Sequence, residues 1–334
     1  MNYQKSLSQG FQYLCRVALS VTLLVGLLAC SDNETEVKDA VSVPQMRLSI
    51  DLWPGYYPAV IAKEKGWFKE QGLDLILDIP GNTDKMLAQF TAGTIDAVAV
   101  AFGDAVLVTR QKKDVAVILI TDESAGGDAV LSKDPEILKH LKGKTIGTNL
   151  GGGGELLIRT MLQMHGTSAA EVNLINVDAS KIPTLLESGK LDLGHTWNPY
   201  VGQAIDAGAQ VVFSSKDTPG LIPDTVAISS SFGKTNPESV KTFLGVWFKA
   251  QQWWLDNFDE GNQLIASATN QSVKDISLDG IKLLDREQNI ASYDDLTAEQ
   301  GLPYVLKLYN RFYTRSGVLR ESAPETILTS EFLK

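Results

Sequence analysis

Cysteine is scarce in this chain and confined to one end of it. The 334 residues contain two, Cys15 and Cys30, both within the first thirty. The remainder holds no disulfide framework, no thiol nucleophile and no cysteine metal cage. Histidine is nearly as sparse: His140, His165 and His195 lie far apart with no HExxH spacing, so no metal site is expected. Basic charge is in the minority, with 30 Lys and Arg against 40 Asp and Glu and a formal net charge of −10. Such a chain has no counterion-release drive for wrapping a polyanion, and nucleic acid is not an expected partner. Long apolar runs are missing as well. Ile95–Val108, the longest beyond the N-terminal region, is broken by Asp96 and Asp104, whereas a bilayer span needs about 20 apolar residues. The 12 prolines and 28 glycines are too few for a collagen-like or low-complexity chain. At 44% hydrophobic and 21% charged, the chain has the composition of a globular protein long enough for two lobes.

The first thirty residues read as an address. Lys5 and Arg16 form a positive segment with no acid, and Val17–Leu28 follows as an apolar run of twelve, too short to span a bilayer. The run ends Leu27-Leu28-Ala29-Cys30, which resembles a bacterial lipobox. Residues 1–29 are therefore expected to be a signal peptide cleaved after Ala29. Cys30 is the expected lipidation site, carrying palmitate-type acyl chains. Residues 30–45 are polar and form an expected lipidated tether, with a reach of about 50 Å when extended. Without Lys5 and Arg16 the mature chain carries −12. The expected location is the periplasmic face of a bacterial membrane, with a membrane anchor through Cys30.

An internal repeat organises the rest. Thr91-Ala92-Gly93-Thr94-Ile95-Asp96-Ala97 matches Glu187-Ser188-Gly189-Lys190-Leu191-Asp192-Leu193 at an offset of 96. Carried backwards without a gap, that offset lays the strand-like Leu48–Leu52 on Lys144–Thr148 and the helical Ala59–Lys69 on Glu155–His165. Asp84 falls on Ser180, and both helices stop at a glycine, Gly93 and Gly189. Each half reads as strand, helix, strand, helix, strand, a pattern that demands parallel sheets with covering helices. After them comes a strand-like Thr225–Ser229 and a helical tail. Asn236-Pro237-Glu238 opens a helix that stacks Val240, Phe243, Trp247, Ala250 and Trp254 on one stripe, read as packing against the first lobe. The fold class is thus α/β with two lobes, each a mainly parallel sheet with covering helices, joined by a two-strand hinge. Residues 46–125 plus 229–334 form lobe I and 126–228 form lobe II.

In open α/β sheets ligands bind beyond the carboxyl ends of the strands. In lobe I those ends offer Trp53, Tyr56 and Tyr57, then Asn82 and Thr83 opening a helix, then Phe102 and Asp104 opening another. In lobe II they offer Asn149, Gly151 and Gly152, then Asp178-Ala179-Ser180, then Trp197 and Asn198. Asp128 and Asp224 flank the crossovers. The aromatics supply flat walls with polar edges, and the glycines allow close backbone approach. Each aromatic could equally pack inside its lobe, and Asp104 is as well placed to cap a helix as to meet a ligand. His195, inside a strand with apolar neighbours, reads as structural, and Asp96 and Asp192 as a shared turn. None of the candidates is Lys or Arg, so a bare inorganic anion is disfavoured. A small nitrogen-bearing organic solute, zwitterionic or heteroaromatic, is expected between Trp53 or Tyr57 and Trp197.

Five motifs in order resemble one family. They are Trp53-Pro54-Gly55-Tyr56-Tyr57-Pro58-Ala59 with Lys63-Glu64-Lys65-Gly66-Trp67-Phe68, then Asp122-Glu123-Ser124-Ala125-Gly126-Gly127-Asp128-Ala129, then Leu141-Lys142-Gly143-Lys144-Thr145-Ile146-Gly147, then Ser188-Gly189-Lys190-Leu191-Asp192, then Pro219-Gly220-Leu221-Ile222-Pro223-Asp224. Together they look like the periplasmic solute-binding proteins of ABC importers in the nitrate/sulfonate/taurine and pyrimidine-precursor group. The resemblance spans about Leu48 to Ile228. It implies a type II periplasmic binding protein, monomeric and without cofactor, that closes on a solute and delivers it to ABC permease subunits. A lipoprotein presenting its solute to a membrane signalling receptor would use the same cleft. Where the group often shows Thr-Trp-Glu-Pro, this chain has Thr196-Trp197-Asn198-Pro199, an amide in place of a carboxylate.

Enzyme patterns fail on spacing. Gly143-Lys144-Thr145 lacks the earlier P-loop glycine, that position being Leu138, and the run from Gly151 lacks the last glycine of a dinucleotide fingerprint, that position being Leu156. Ser231-Phe232-Gly233-Lys234 has its companion Ser31-Asp32-Asn33 in the tether and in the wrong order. The expectation is a transport protein and not an enzyme.

Overall fold

The computed structural model describes residues 43–112, 114–294 and 301–334. The expected signal peptide, Cys30 and most of the expected tether lie outside the described residues.

The elements of the first half are β1 (Gln45–Ser49), α1 (Tyr57–Glu64), α2 (Trp67–Glu70), β2 (Asp74–Asp78), α3 (Thr83–Ala92), β3 (Ala97–Ala101), α4 (Phe102–Val108) and β4 (Ala116–Ser124). The second half runs β5 (Ala129–Ser132), β6 (Thr145–Thr148), α5 (Gly153–Met164), β7 (Asn173–Asn176), α6 (Ile182–Glu187), β8 (Leu193–Thr196), α7 (Tyr200–Asp206), β9 (Gln210–Ser214) and β10 (Pro223–Ile228). The tail adds α8 (Ser230–Thr235), α9 (Pro237–Asp256), α10 (Phe258–Thr269), β11 (Ile281–Leu283), α11 (Arg286–Asp294) and α12 (Leu302–Arg315).

Two sheets result, one of six strands in the order β11-β4-β10-β3-β1-β2 and one of five in the order β7-β6-β8-β5-β9. Both are mixed. Each βαβαβ run is parallel, as crossover helices require, while the strands that enter and leave the crossovers pair antiparallel. The chain passes from β4 into β5 through residues 125–128 and returns between β9 and β10. All of β10 belongs to the six-stranded sheet, so the return precedes Pro223 and not, as the sequence reading had it, Ile228.

The repeat is real but not gapless. In the first sheet Leu48 pairs with Ala97, and in the second Ile146 pairs with Leu193. The first strands therefore differ by 98 positions, the second by 97 and the third by 96, so each connection in the second half is one residue shorter. The equivalent aspartates do the same work in both halves. Asp96 accepts the backbone N–H of Arg47 at 2.9 Å, and Asp192 accepts that of Thr145 at 2.8 Å. Each ties the start of the third strand to the first.

Alternation along the lobe II strands builds two cores. Val130 faces one with Ile146, Leu157 and Leu193, and Ala129 and Leu131 face the other with Ile182 and Leu186. Lobe I has one continuous core, into which the tail folds back. Val240, Phe243, Trp247, Ala250 and Trp254 of α9 are all fully buried there, as the stripe implies, and Trp254 Nε1 donates to Asn262 Oδ1 at 2.9 Å. Asn289 of α11 acts as a strand substitute. Its Oδ1 accepts the Ile120 N–H at 2.7 Å and its Nδ2 donates to the Ile120 carbonyl at 2.9 Å, continuing the β4 edge where β11 ends. Asn289→Ala would strand both buried backbone groups. The expected loss is about 1–3 kcal/mol of unfolding free energy in urea titration, with ligand binding unchanged.

Candidate functional site

The carboxyl ends of the parallel strands in both sheets open onto one cavity. Lobe I brings Asp51, Trp53 and Tyr56 from beyond β1, Thr83 from the start of α3, Ala99–Ala101 of β3, Asp104 of α4 and Asp224 of β10. Lobe II brings Asp128 from the crossover, Asn149 and Gly152–Gly154 from beyond β6, and His195 and Trp197 from the end of β8. Ile222 closes the wall beside β10.

Four acids stand among the polar groups. Asp51 accepts the Leu52 N–H at 2.7 Å and the Thr83 hydroxyl at 2.9 Å. Asp224 accepts from the Tyr56 hydroxyl. Asp128 meets His195 Nε2 at 2.9 Å, and the other ring nitrogen of His195 lies 3.2 Å from the Thr148 hydroxyl. The consistent tautomer donates from Nε2 to the carboxylate and accepts at Nδ1. Behind the wall Asp122 accepts from Trp53 Nε1 at 3.0 Å and from the Thr121 hydroxyl at 2.7 Å, which fixes the indole. Asp104 has no hydrogen-bond partner among the described residues, although it is only 7% exposed. No Lys or Arg lines the cavity.

Burial without cations raises the carboxyl pKa values. Asp104 is pushed from the ordinary 3.8 up to about 7, by desolvation first and then by Asp84 and Asp128. Asp122 is also pushed up to about 7 by desolvation, against the hydrogen bonds from Thr121 and Trp53. Asp224 rises well above the carboxylate range through desolvation and the neighbouring Asp122 and Asp128.

Of the residues singled out in the sequence, Trp53, Tyr56, Thr83, Asp104, Asp128, Asn149, Gly152, Trp197 and Asp224 line the cavity. Five do not. Tyr57 turns inward against Trp254 and accepts from Gln271 Nε2 at 2.6 Å. Phe102 is fully buried, edge-on to Tyr309 of α12. Asn82 caps α3 by accepting the Lys85 N–H at 2.8 Å, and donates across the cleft to Asp178 Oδ2 at 2.8 Å. Gly151 donates its N–H to Glu155, and Asn198 stands just outside the lining. Three contributions were missed: Asp51, His195 as a wall residue and Ile222. Asp51 was legible as a polar residue at a strand end, had β1 been ended at Ser49. The glycines serve the side chains opposite. A Cβ on Gly152 would sit 2.6 Å from Asp104 Oδ1, and one on Gly154 would collide with the His195 ring.

A family model described as NMT1/THI5 like matches residues 53–260. Among relatives, Bacillus subtilis YtlA, which carries the name of a binding protein, is 28% identical over 272 residues, covering 79% of this chain and 75% of that one. A second Bacillus subtilis protein, named for binding aliphatic sulfonates, is 23% identical over 288 residues, covering 84% and 86%. Among solved structures, the alkanesulfonate-binding protein SsuA from Xanthomonas axonopodis pv. citri bound to MOPS superposes with a TM-score of 0.71 at 12% identity, over 85% of this chain and 98% of that one. That likeness shows the periplasmic binding protein fold. The relatives are named as binding proteins, not enzymes.

The acid cluster makes stability depend on pH with a definite sign. A carboxyl whose pKa is raised on folding holds its proton more tightly in the native state, so its stabilisation is complete below 3.8 and is lost as pH rises towards 7. The ligand-free protein should have a lower Tm at pH 8 than at pH 5, and Asp122→Asn should flatten that slope in scanning calorimetry. A Tm that rises from pH 5 to 8 in the wild type would contradict the assignment.

Proposed function

The chain belongs to the NMT1/THI5-like family, and from that premise we propose that it is the solute-binding lipoprotein of an ABC importer. In this reading it closes its two lobes on a small nitrogen-bearing organic solute outside the cytoplasm and delivers it to the permease. One observation carries the reading: a single cavity is built from strand ends of both sheets, and the chain joins those sheets at two crossovers. Such a site assembles when the lobes meet and opens when they part, which is the requirement for capture and hand-over. The walls suit an organic molecule, since Trp53, Tyr56 and Trp197 give it apolar faces while Thr83 and Asn149 give it polar edges. Residues 125–128 and 215–222 are the hinge of this reading, and Cys30 is its anchor.

A thermal-shift screen across amines, amino acids, pyrimidines, sulfonates and nitrate tests the binding function. A solute present at 100 times its Kd should stabilise the protein by about 2.7 kcal/mol. Trp197→Ala should remove that shift while leaving the ligand-free Tm within a few degrees, because the side chain is only half-buried. A protein that no member of the screen stabilises would speak against solute binding. The anchor is tested separately. Expressed from its full precursor, Cys30→Ser should leave the membrane fraction and remain folded, and its retention in that fraction would sink the lipid tether.

A further inference from the structure

We propose that the cleft selects a small organic cation, and that Asp104 is the carboxylate that meets its charged nitrogen group. The inference rests on the solute-binding reading and adds the charge class of the ligand.

The first ground is pairing. Among the carboxylates in the cavity wall, Asp51 is held by two donors, Asp224 by Tyr56 and Asp128 by His195. Asp104 is more than nine-tenths buried, lines the cavity and has no partner among the described residues. A buried carboxylate without a donor is costly, and the cost is relieved when a cation with N–H groups arrives.

The second ground is that a carboxylate already stands at the place for an anion. The N-terminus of α5 faces the cavity, and a helix N-terminus is where an anionic ligand finds free N–H groups. Here the protein supplies its own negative charges. Asp104 lies against Gly152, and Glu155 accepts the Gly151 N–H at 2.8 Å. A sulfonate or nitrate entering the cavity would meet Asp104, Asp128 and Asp224 with no Lys or Arg in the wall. The amide at Asn198 removes no charge from the cavity, because that residue stands outside it. Trp53 and Trp197 line the same space, and an aromatic ring attracts a cation to its face.

Cation binding must then compete with protons. The groups facing Asp104 are Asp84 and Asp128, which hold its proton on, together with Asp224 and the hydroxyl of Tyr309 from α12. Beyond them lie His195 on Asp128 and Asp122 near Asp224. A cation favours the ionised carboxylate, so binding releases a proton below pH 7.

Calorimetric titration of the mature protein with three cations and their neutral counterparts tests this: guanidinium with urea, acetamidinium with acetamide, methylammonium with methanol. Methanesulfonate and nitrate serve as anion probes. At least one cation should bind about a hundredfold more tightly than its neutral counterpart. Its affinity should rise about tenfold per pH unit from pH 5 to 7 and level off above. Asp104→Asn should weaken that cation about a hundredfold. The wild-type pH profile and the charged-versus-neutral comparison read the proposal even where the variant fails to fold. Anions or neutral probes binding as tightly as the cations, or a folded Asp104→Asn protein that retains cation affinity, would overturn the cation assignment and leave solute binding standing. Silence from every probe and from the broader screen would overturn both.

Discussion

Ser124 closes β4 and Ser215 follows β9, and their hydroxyls meet at 2.7 Å. Around that contact the two crossovers are stitched to each other. The Gly126 N–H donates to Ser215 Oγ at 2.7 Å, the Asp128 N–H to Ser124 Oγ at 3.0 Å, and the Ser215 N–H to the Asp128 carbonyl at 2.9 Å. From outside, the Gly280 carbonyl accepts both Ala125 and Gly127. Gly280 has φ 77°, and a Cβ there would sit 2.6 Å from Gly127 N, so the position demands glycine. The two chain segments that join the sheets are thus bound closely to each other. Asp128 sits in the first of these segments, and its carboxylate orients His195.

The electrostatics of the cleft follow from the same arrangement. The crossovers bring strand ends of both sheets together, and acids stand at several of those ends: Asp51 beyond β1, Asp104 beyond β3, Asp224 in β10, Asp128 before β5. Three of them find a donor, in Thr83, Tyr56 and His195, while Asp104 finds none among the described residues. Brought together they repel, and the structure answers by holding protons on some of them. The ligand-free state is therefore least comfortable where it is most acidic. That is a common feature of sites whose complement arrives from solution, since the arrangement that binds best is not the one that is most stable empty.

Much of this was legible in the sequence where chemistry is local. Gly93 and Gly189 end their helices with φ of 72° and 70°; Asn82 and Asp178 cap theirs; the α9 stripe is buried because its period left it no alternative. What failed was decided at a distance or by one residue of register. Phe102 starts α4 one position beyond β3, and whether it faces the cleft depends on Tyr309, which arrives more than two hundred residues later on α12. Tyr57 was lost to Trp254 and Gln271 in the same way. Asp51 was hidden by placing the end of β1 too late, whereas the matching strand end at Thr148 was placed correctly. His195 was read correctly as a satisfied histidine, yet satisfaction and exposure to the cavity turn out to coexist: both ring nitrogens are occupied and the ring still forms part of the wall.

The repeat also explains why the helix dipoles do not reverse the sign of the cleft. Because both halves follow one plan and face each other, equivalent helix starts point at the same space, and their N–H groups would ordinarily draw an anion there. Two of these starts are capped from within, and at a third Glu155 binds the residue ahead of the N-cap. Asn82 takes the Lys85 N–H, Asp178 takes that of Ser180 at 3.0 Å, and Glu155 takes that of Gly151 at the head of α5. The two equivalent caps then meet across the cleft through Asn82 Nδ2 and Asp178 Oδ2. The amide in one half is what permits this, since two carboxylates in that position would push the lobes apart. One of the paired caps is neutral and donates, and it closes the rim. The charges that remain directed inward are carboxylates.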